Sequence, residues 1–358
     1  MVYARPHSAT TANAPYVSEL ARRLVYKMYG DDAYSAGLSV HTTIHSRDQA
    51  AARTAVRNGV LDYDTRSGYA GPEARIDLAD DPATAREQIL QAIKTAGPRA
   101  SLLPAVVTDV QFIKAAPAKG KRKATKASIV VTVDTGTESI ELTGAGLRLA
   151  DRVFQRKADA DKRPSRGAVV RIVERDGRWN LTQIPEVQAA FVAVNTHDGS
   201  IRALVGGFDF EHNKFNRVTQ AWRQPGSSFK PFIFSAALTK GITTSTVIND
   251  APISLIDEDP NDGPQLWEPK NYDGRFDGPM TLRTALALSK NLVSVRVMQK
   301  IGTKYARDYV SRFGFDPAQQ PPVLTLGLGA GLVTPLQLVS GISVFANGGY
   351  QVEPYLVS

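Results

Sequence analysis

The chain of 358 residues carries 43 Lys and Arg against 35 Asp and Glu, a formal charge of +8, and 42% of its residues are apolar. This length is sufficient for two or three domains with cores of their own. The absence of cysteine excludes disulfides, thiolate zinc sites and cysteine nucleophiles, and no apolar run approaches the ~18 residues that span a bilayer. The positive charge suits anionic surroundings such as lipid head groups, wall polymers or nucleic acid, without choosing among them.

The first hundred residues carry signals for helices and for one strand. Apolar residues at helical spacing, together with capping serine, proline and glycine residues, predict the helices. The predicted helices are 16–29, 46–61 and 82–96, and an alternating run predicts a strand at 38–44. We assign no chemistry to residues 1–100 and expect them to form a linker and a scaffold.

Short β-branched runs replace the helical pattern after residue 101. Turn residues separate these runs, and about five short strands of this kind predict a small barrel of the oligonucleotide/oligosaccharide-binding (OB) shape over 101–186. The predicted strands are 105–112, 128–133, 139–142, 168–173 and 178–182.

A basic segment, 114–126, lies between two of the predicted strands. Two interpretations fit it, a groove for single-stranded nucleic acid and a solvated hairpin loop. Stacking platforms for bases need aromatic side chains, and this region offers few beyond Phe112, Phe154 and Trp179. We therefore favour the loop and expect no nucleic-acid partner.

The last region of the chain opens with two alternating runs that predict a hairpin of strands at 189–194 and 200–205. Further along, residues 249–278 predict a long loop rich in Asp, Pro and Gly, and loops of this length are often functional. Its Trp267 and Tyr272 fit either an aromatic wall beside a binding site or a packed cover.

Ser227 and Lys230 form the only S-x-x-K of the chain, within the stretch RQPGSSFKPF at 223–232. Glycine and proline predict a turn that opens a helix, so the two side chains lie on one face and within reach of each other. A lysine can take the proton of a serine nucleophile when burial favours the neutral amine. The Ser227 amide, at a helix start, is free for an oxyanion. An isolated S-x-x-K is more often a capping serine beside a solvated lysine.

Ser289-Lys290-Asn291 is the only S-x-N of the chain and lies between two apolar-periodic segments, 281–288 and 292–301. The motifs S-x-x-K, S-D-N and K-T-G together mark penicillin-binding proteins and class A β-lactamases. The second motif therefore favours a catalytic interpretation of Ser227 and Lys230.

Residues 215–232 closely resemble the nucleophile segment of class A, bifunctional penicillin-binding proteins of the 1A type. Other segments are similar to this family in the same order, so the resemblance covers nearly the whole chain. These segments are GLSVHTTI at 37–44, NYDG at 271–274, TLR at 281–283, TPL at 334–336 and FANGG at 345–349.

The resemblance implies an α+β fold. Residues 187–358 would form the N-terminal part of a transpeptidase domain, with the antiparallel sheet and helices of the penicillin-binding/β-lactamase-like serine acyltransferases. Residues 101–186 would form an OB-like insertion domain that binds cell-wall synthesis partners, and 1–100 would connect to a glycosyltransferase domain. The family acts at the periplasmic face of the bacterial inner membrane. We expect no cofactor and no metal.

The resemblance also implies a peptidoglycan D,D-transpeptidase, which cross-links stem peptides ending in D-alanyl-D-alanine and which β-lactams acylate. Ser227 would attack the penultimate carbonyl with Lys230 as its base, and Ser289 would relay the proton to the leaving nitrogen. Asn291 would hold the substrate amide. Trp267 and Tyr272 are the expected aromatic contacts with the substrate.

Glu268, in the stretch WEPKN, raises the alternative of a β-lactamase-like hydrolase, because a similar loop carries the deacylating glutamate of class A β-lactamases. The segment from Glu268 to Asn271 is one residue shorter than that pattern, and it precedes the S-x-N motif instead of following it. We therefore expect a long-lived acyl-enzyme. A D,D-carboxypeptidase that transfers to water stays open, as does a non-catalytic fragment that binds the wall or a partner.

No K-[ST]-G follows Asn291. In the family this third motif supplies a cation for the substrate carboxylate and lies near the second oxyanion amide. We expect the chain to be truncated before it and to need a C-terminal remainder as a partner. The 358 residues alone should acylate poorly with penicillin, because losing one oxyanion donor can cost ~10²-fold or more in rate.

Overall fold

A computed structural model describes residues 12–115, 127–259 and 263–357. The chain divides into two compact units, one formed by Met1–Ala52, Phe191–Gly206 and Phe215–Ser358, and the other by Arg53–Ala190 and Gly207–Lys214. The helices are α1 (Pro15–Tyr29), α2 (Asp32–Ser35), α3 (Ser46–Ser67), α4 (Pro82–Ala96), α5 (Asp151–Gln155), α6 (Arg217–Gln220), α7 (Lys230–Thr239), α8 (Leu282–Ala287), α9 (Asn291–Ile301), α10 (Thr303–Val310) and α11 (Pro335–Ala346).

The strands are β1 (Ala74–Arg75), β2 (Leu103–Ile113), β3 (Ser128–Asp134), β4 (Ser139–Thr143), β5 (Ala168–Arg175), β6 (Arg178–Thr182), β7 (Phe191–Val194), β8 (Ile201–Val205), β9 (Val247–Asp250), β10 (Leu255–Asp259), β11 (Gly263–Trp267) and β12 (Gly278–Thr281). Short 3₁₀ segments cover Gly144–Ala150, Lys157–Lys162, Gly226–Phe229, Ser311–Phe313, Pro317–Gln319 and Leu324–Leu328.

Helix α7 forms the centre of the first unit. Phe232, Ile233 and Ala236 are fully buried on it, and a helix that is apolar on all sides belongs in a core. Helices α9 and α10 pack against α7, and the rings of Phe313 and Phe315 contact Phe232 edge-on. The burial of each of these phenylalanine side chains contributes roughly 1.5–3 kcal/mol to the free energy of unfolding. This core fixes the position of the N-terminal end of α7.

A hairpin of β7 and β8 gives the first unit its antiparallel sheet. Phe191 pairs with Val205 and Ala193 with Ala203, and α11 packs on β7. The end of the chain runs beside β8, where Tyr355 forms a bridge with Ser200. With strands and helices in separate layers, the unit has the predicted α+β class.

The second unit is built on one antiparallel sheet. Its strand order is β1-β5-β2-β3-β4, and β6 also pairs with β5. Helix α4 covers part of the sheet, with Ile89 packed in one cluster with Val106 and Val169. Among the described strands the ladder of hydrogen bonds does not close, as in the partly open barrels of OB domains.

The five strands predicted over 105–182 are confirmed, as are the helices predicted at 16–29 and 82–96. The strand predicted at 38–44 is wrong. Only Thr42 forms a bridge there, with Val357, and the side chains of Leu38 and Val40 are exposed instead of packing against a sheet.

The long loop predicted at 249–278 is also wrong, because β10 and β11 pair within it and β12 pairs with β9. Its Asp, Pro and Gly residues are typical of turns, so the sequence pattern did not indicate the short strands. Of the predicted basic segment 114–126, residues 116–126 lie outside the described part of the chain.

The beginning of the OB-like domain was predicted at residue 101. Strand β1 already pairs with β5, and α4 packs on the same sheet. We therefore propose that this domain begins before β1.

Candidate active site

Ser227 lies in the 3₁₀ turn Gly226–Phe229, which leads directly into α7. In a 3₁₀ turn, residues i and i+3 eclipse each other, so Ser227 and Lys230 share one face of the turn. Phe229 is fully buried and anchors the turn in the core. The serine is therefore carried by the turn before α7 and not by the α-helix itself.

Two glycines approach each other closely behind Ser227. Gly226 has a φ of +57° and donates its N–H to the carbonyl of Gly329 at 3.4 Å, and Gly329 has a φ of +81°. A Cβ atom on Gly329 would lie 2.2 Å from the Gly226 oxygen. Only glycine adopts these conformations at low cost and permits this approach. Gly329 therefore supports the nucleophile turn from behind, a role that no local sequence pattern indicates.

The Lys230 amine is buried and surrounded by neutral oxygen atoms. The residue is 1% exposed, and its Nζ donates to the Ser289 carbonyl at 2.6 Å, to Ser289 Oγ at 3.0 Å and to Asn291 Oδ1 at 2.7 Å. These contacts use the three N–H donors of an ammonium group. The S-x-x-K and S-x-N motifs therefore meet at one nitrogen atom.

Burial lowers the pKa of Lys230 from its ordinary value of 10.5 to about 8, because the charged form is desolvated and no carboxylate compensates it. With a pKa of about 8 roughly a tenth of the amines are neutral at pH 7, against about one in three thousand for an ordinary lysine. Lys230 can therefore serve as a general base near neutral pH.

Ser227 is exposed, and within the described structure neither its hydroxyl nor its backbone N–H makes a hydrogen bond. A free N–H at this position is what an oxyanion donor requires. The direct contact expected between the Lys230 amine and the Ser227 hydroxyl is not present, because Ser289 and Asn291 take the donors of the amine.

Ser289 has a φ of +55°, a conformation that costs a residue with a Cβ free energy. Two backbone bonds hold it there, from the Ser289 N–H to the Leu286 carbonyl and from the Lys290 N–H to the Ala285 carbonyl. Strained residues cluster at functional sites, where the surrounding structure fixes them. In this conformation the Ser289 hydroxyl accepts a hydrogen bond from Lys230.

Asn291 is the first residue of α9, and its side chain bridges two segments. Its Oδ1 accepts from Lys230, and its Nδ2 donates to the Lys270 carbonyl at 2.9 Å. The N–H of Asn291 donates to Asn271 Oδ1 at 2.8 Å. Asn271 therefore satisfies one of the free donors at the N-terminus of α9.

Lys290, the middle residue of the S-x-N motif, has a role that the sequence analysis missed. Its side chain is 5% exposed, and its Nζ lies 2.5 Å from a carboxylate oxygen of Asp277 and 3.5 Å from those of Asp250 and Asp273. The hydrogen bond to Asp277, with the charges of all three carboxylates, raises the pKa of Lys290. The surroundings therefore lower the pKa of Lys230 and raise the pKa of Lys290.

Trp267 and Tyr272 lie outside this hydrogen-bonded group. Trp267 is partly buried at the end of β11, opposite Leu255, and Tyr272 is fully exposed next to Asn271. Glu268 accepts a hydrogen bond from Ser254 at 2.8 Å and has none to Ser227 or Lys230 within the described residues. Of the predicted site residues, hydrogen bonds thus bring together Lys230, Ser289 and Asn291, and Ser227 lies on the turn that leads into Lys230.

Among residues 12–115, 127–259 and 263–357, no three His, Asp or Glu side chains converge in a way that could hold a metal ion. No helix in the same ranges combines the length and the apolar character needed to cross a membrane.

The chain is similar to known proteins over nearly its whole length. Residues 189–358 match the family model described as penicillin binding protein transpeptidase domain, and residues 69–187 match the model described as penicillin-binding protein OB-like domain. The chain is 44% identical over 347 residues to penicillin-binding protein 1A of Neisseria lactamica, an alignment that covers 96% of this chain and 41% of the relative. The same protein of Vibrio cholerae is 41% identical, with 97% of this chain and 41% of the relative covered.

The crystal structure of penicillin-binding protein 1A from Haemophilus influenzae superposes with a TM-score of 0.81 at 35% identity, covering all of this chain and 49% of that one. The chain thus spans about two fifths of the length of the curated relatives named above. The chain belongs to the class A penicillin-binding proteins of the 1A type, and it contains the transpeptidase and OB-like regions of that family.

Proposed function

We propose that this protein is a peptidoglycan D,D-transpeptidase that uses Ser227 as its nucleophile. The observation that carries the proposal is the buried Lys230 amine, which has a lowered pKa and lies within hydrogen-bond distance of both Ser289 and Asn291. A lysine that is buried without a carboxylate partner costs stability, and this cost is accepted at sites where a neutral amine is needed.

The amine must release one of its contacts before it can accept a proton. A neutral amine has two N–H donors and one lone pair, so only two of the three contacts of Lys230 can be kept. The bond to Ser289 Oγ, at 3.0 Å, is the longest of the three. Its release leaves Lys230 free to take the Ser227 proton and Ser289 free to pass a proton onward.

In the first step Ser227 Oγ bonds to the penultimate carbonyl carbon of a stem peptide, and its proton passes to Lys230. The free N–H of Ser227 supports the oxyanion. The carbon–nitrogen bond then breaks, and the D-alanine nitrogen leaves with the proton, which Ser289 relays from Lys230. An amine of a second stem then attacks the ester carbonyl, the bond to Ser227 Oγ breaks, and a proton from that amine passes through Lys230 to Ser227 Oγ. The same serine is open to acylation by β-lactams.

The hydrolase alternative depends on a base that activates water at the acyl-enzyme. Glu268, the candidate for that role, is hydrogen-bonded to Ser254, and these two residues flank the β10–β11 hairpin. Among the described residues Glu268 makes no hydrogen bond to Ser227 or Lys230, which supports a long-lived acyl-enzyme and transfer to an amine. Fast nitrocefin turnover would favour the hydrolase, and D-alanine release without cross-linking would favour the carboxypeptidase.

We place this activity at the periplasmic face of the bacterial inner membrane, with stem peptides and β-lactams as ligands and with cell-wall synthesis partners on the OB-like domain. The family membership supports this placement.

The test is labelling of the complete gene product with a fluorescent penicillin. We expect Ser227→Ala to abolish the label and Ser228→Ala to leave it unchanged. Ser228 is the matched control because it is also exposed and lies in the same 3₁₀ turn. Undiminished labelling of Ser227→Ala would contradict the proposal. Binding to purified sacculi without any labelling of the unaltered protein would instead support a non-catalytic wall-binding role.

A further inference from the structure

We infer that Lys290, Asp250 and Asn271 form an anchor that positions Ser289 and Asn291 against Lys230. The anchor lies on the opposite side of the S-x-N motif from the Lys230 amine. These three are positioning residues, since each acts through the motif backbone. The inference rests on the proposed function, because it concerns the geometry of the same acylation site.

The first part of the anchor is a buried carboxylate, that of Asp250 at the end of β9. It accepts two hydrogen bonds from Asn271 Nδ2, at 2.8 and 3.0 Å, and one from the N–H of Asp277 at 3.0 Å. Lys290 supplies the positive charge, with its Nζ at 3.5 Å. A buried charge needs both a counter-charge and hydrogen bonds, and Asp250 has both.

The second part is the amide of Asn271, which connects Asp250 to the start of α9. Its Nδ2 binds Asp250, while its Oδ1 accepts from the N–H groups of Asn291 at 2.8 Å and Leu292 at 3.4 Å. Because an amide side chain donates on one side and accepts on the other, Asn271 transmits the position of Asp250 to Asn291.

The third part is Lys290 itself. Its side chain points away from Lys230 into a group of three carboxylates, while the residues on either side of it turn toward Lys230. Ser289 holds a strained φ of +55°, which requires such a restraint. The anchor therefore fixes the two side chains that shield the Lys230 amine from water.

The charged groups divide cleanly between the two lysines. Within the described residues, the hydrogen-bonding partners of Lys230 are the neutral Ser289 and Asn291, and no salt bridge reaches it. The carboxylates of Asp250, Asp273 and Asp277 face Lys290. Loosening the anchor should therefore act on Lys230 by admitting water, which favours its charged form.

The test uses the complete gene product and the variant Lys290→Met. We expect the second-order rate of penicillin acylation to fall about 10- to 100-fold, because displacement of a catalytic group by an ångström has effects of that size. The midpoint of the pH–rate profile should move upward, toward that of an ordinary lysine. Lys290→Arg, which keeps the charge, should recover most of the rate, and Lys300→Met, at an exposed position in the last turn of α9, should change neither readout.

Removing Lys290 alone leaves Asp250 without its counter-charge, so Lys290→Met is compared with the double variant Asp250→Asn/Lys290→Met. The double variant leaves no unpaired buried charge and decides the question if the single variant does not fold. Wild-type rate and an unchanged pH midpoint in the folded variant would overturn the inference, even if its melting temperature were lower.

Amide hydrogen exchange separates this inference from the proposed function. We expect the Asn291 and Leu292 amides to exchange about tenfold faster in the folded variants, whether or not the protein reacts with penicillin. Unchanged exchange at these two amides would overturn the anchor. An unaltered protein that never acylates, with faster exchange in the variants, would overturn the proposed function and leave the anchor supported.

Discussion

Arg171 and Lys230 are buried cations from different units of the chain, and their surroundings are opposite. The Arg171 side chain, in the OB-like unit, is 0% exposed and binds both carboxylate oxygens of Glu73, at 2.5 and 2.9 Å. It also donates to the carbonyls of Ala96 and Gly97, at the C-terminus of α4. Lys230, in the transpeptidase unit, has only neutral partners and a lowered pKa.

The presence or absence of a counter-charge separates a cation that stabilises the fold from a lysine that can act as a base. Arg171 has a counter-charge and caps a helix whose C-terminal carbonyls attract positive charge, so it joins α4 to the sheet. Lys230 lacks a counter-charge, so its burial favours the neutral amine that a base requires. Both side chains are buried, so burial does not distinguish a structural cation from a base; the charge of the hydrogen-bonding partners does.

The largest effect should come from Lys230→Met. Loss of the base and of the contacts to Ser289 and Asn291 should lower penicillin acylation by about 10³-fold or more. The melting temperature should not fall, because methionine fills the site without burying a charge. Labelling kinetics and thermal unfolding measure the two effects. Lys240→Met, in the exposed C-cap of α7, is the control, and a variant that labels at the wild-type rate would show that Lys230 is structural.

Arg171→Met should have the reverse signature. It leaves the Glu73 carboxylate and the end of α4 unpaired, and because Glu73 is 30% exposed we expect a loss of about 2–3 kcal/mol, somewhat less than for a fully buried pair. Penicillin acylation should stay within about twofold of wild type, since Arg171 takes no part in the proposed reaction. Urea unfolding gives the first value and labelling the second.

The control for Arg171→Met is Arg175→Met on the same strand. Arg175 pairs with the exposed Asp62 at 2.8 Å, and a solvent-exposed pair contributes about 0–1 kcal/mol. Equal losses of stability from the two substitutions would show that the contacts of Arg171 with Glu73 and α4 do not matter.

The sequence predicts this fold well where the signal is local. The five predicted strands of the OB-like sheet alternate or run β-branched over five to eleven residues, and α4 is bracketed by Asp81 and Gly97, which bind its ends. These signals depend on neighbours in the chain, so they survive without knowledge of the tertiary structure.

The wrong predictions concern segments whose structure depends on residues far away in the chain. Residues 38–44 have the composition of a strand but find only a single bridge, because the formation of a strand depends on a partner that local sequence does not reveal. The hairpin of β10 and β11 was missed for the opposite reason, since its pairing compensates for turn-like residues on both sides.

The site divides in the same way. The S-x-x-K and S-x-N motifs identify Ser227, Lys230, Ser289 and Asn291 because each pair lies within four residues, and the structure brings the two pairs together. Asp250, Asn271 and Lys290 are separated by about twenty residues each, and residues of these types are usually solvated at the surface. Gly329 was missed because its role depends on Gly226, about a hundred positions earlier.

The smallest effect should be the pH dependence of the unaltered protein. The pKa of Lys230 is lowered to about 8, so the neutral base forms as the pH rises through that value. Acylation should therefore increase about tenfold between pH 7 and pH 9 and level off above it, with the slow limb on the acid side. The measurement is the second-order rate constant for penicillin from pH 6 to pH 10, with Lys240→Met as a control that keeps the same midpoint. A flat profile across this range would mean that the base is not Lys230, since no other contact of the amine supplies a charge that could hold its pKa elsewhere.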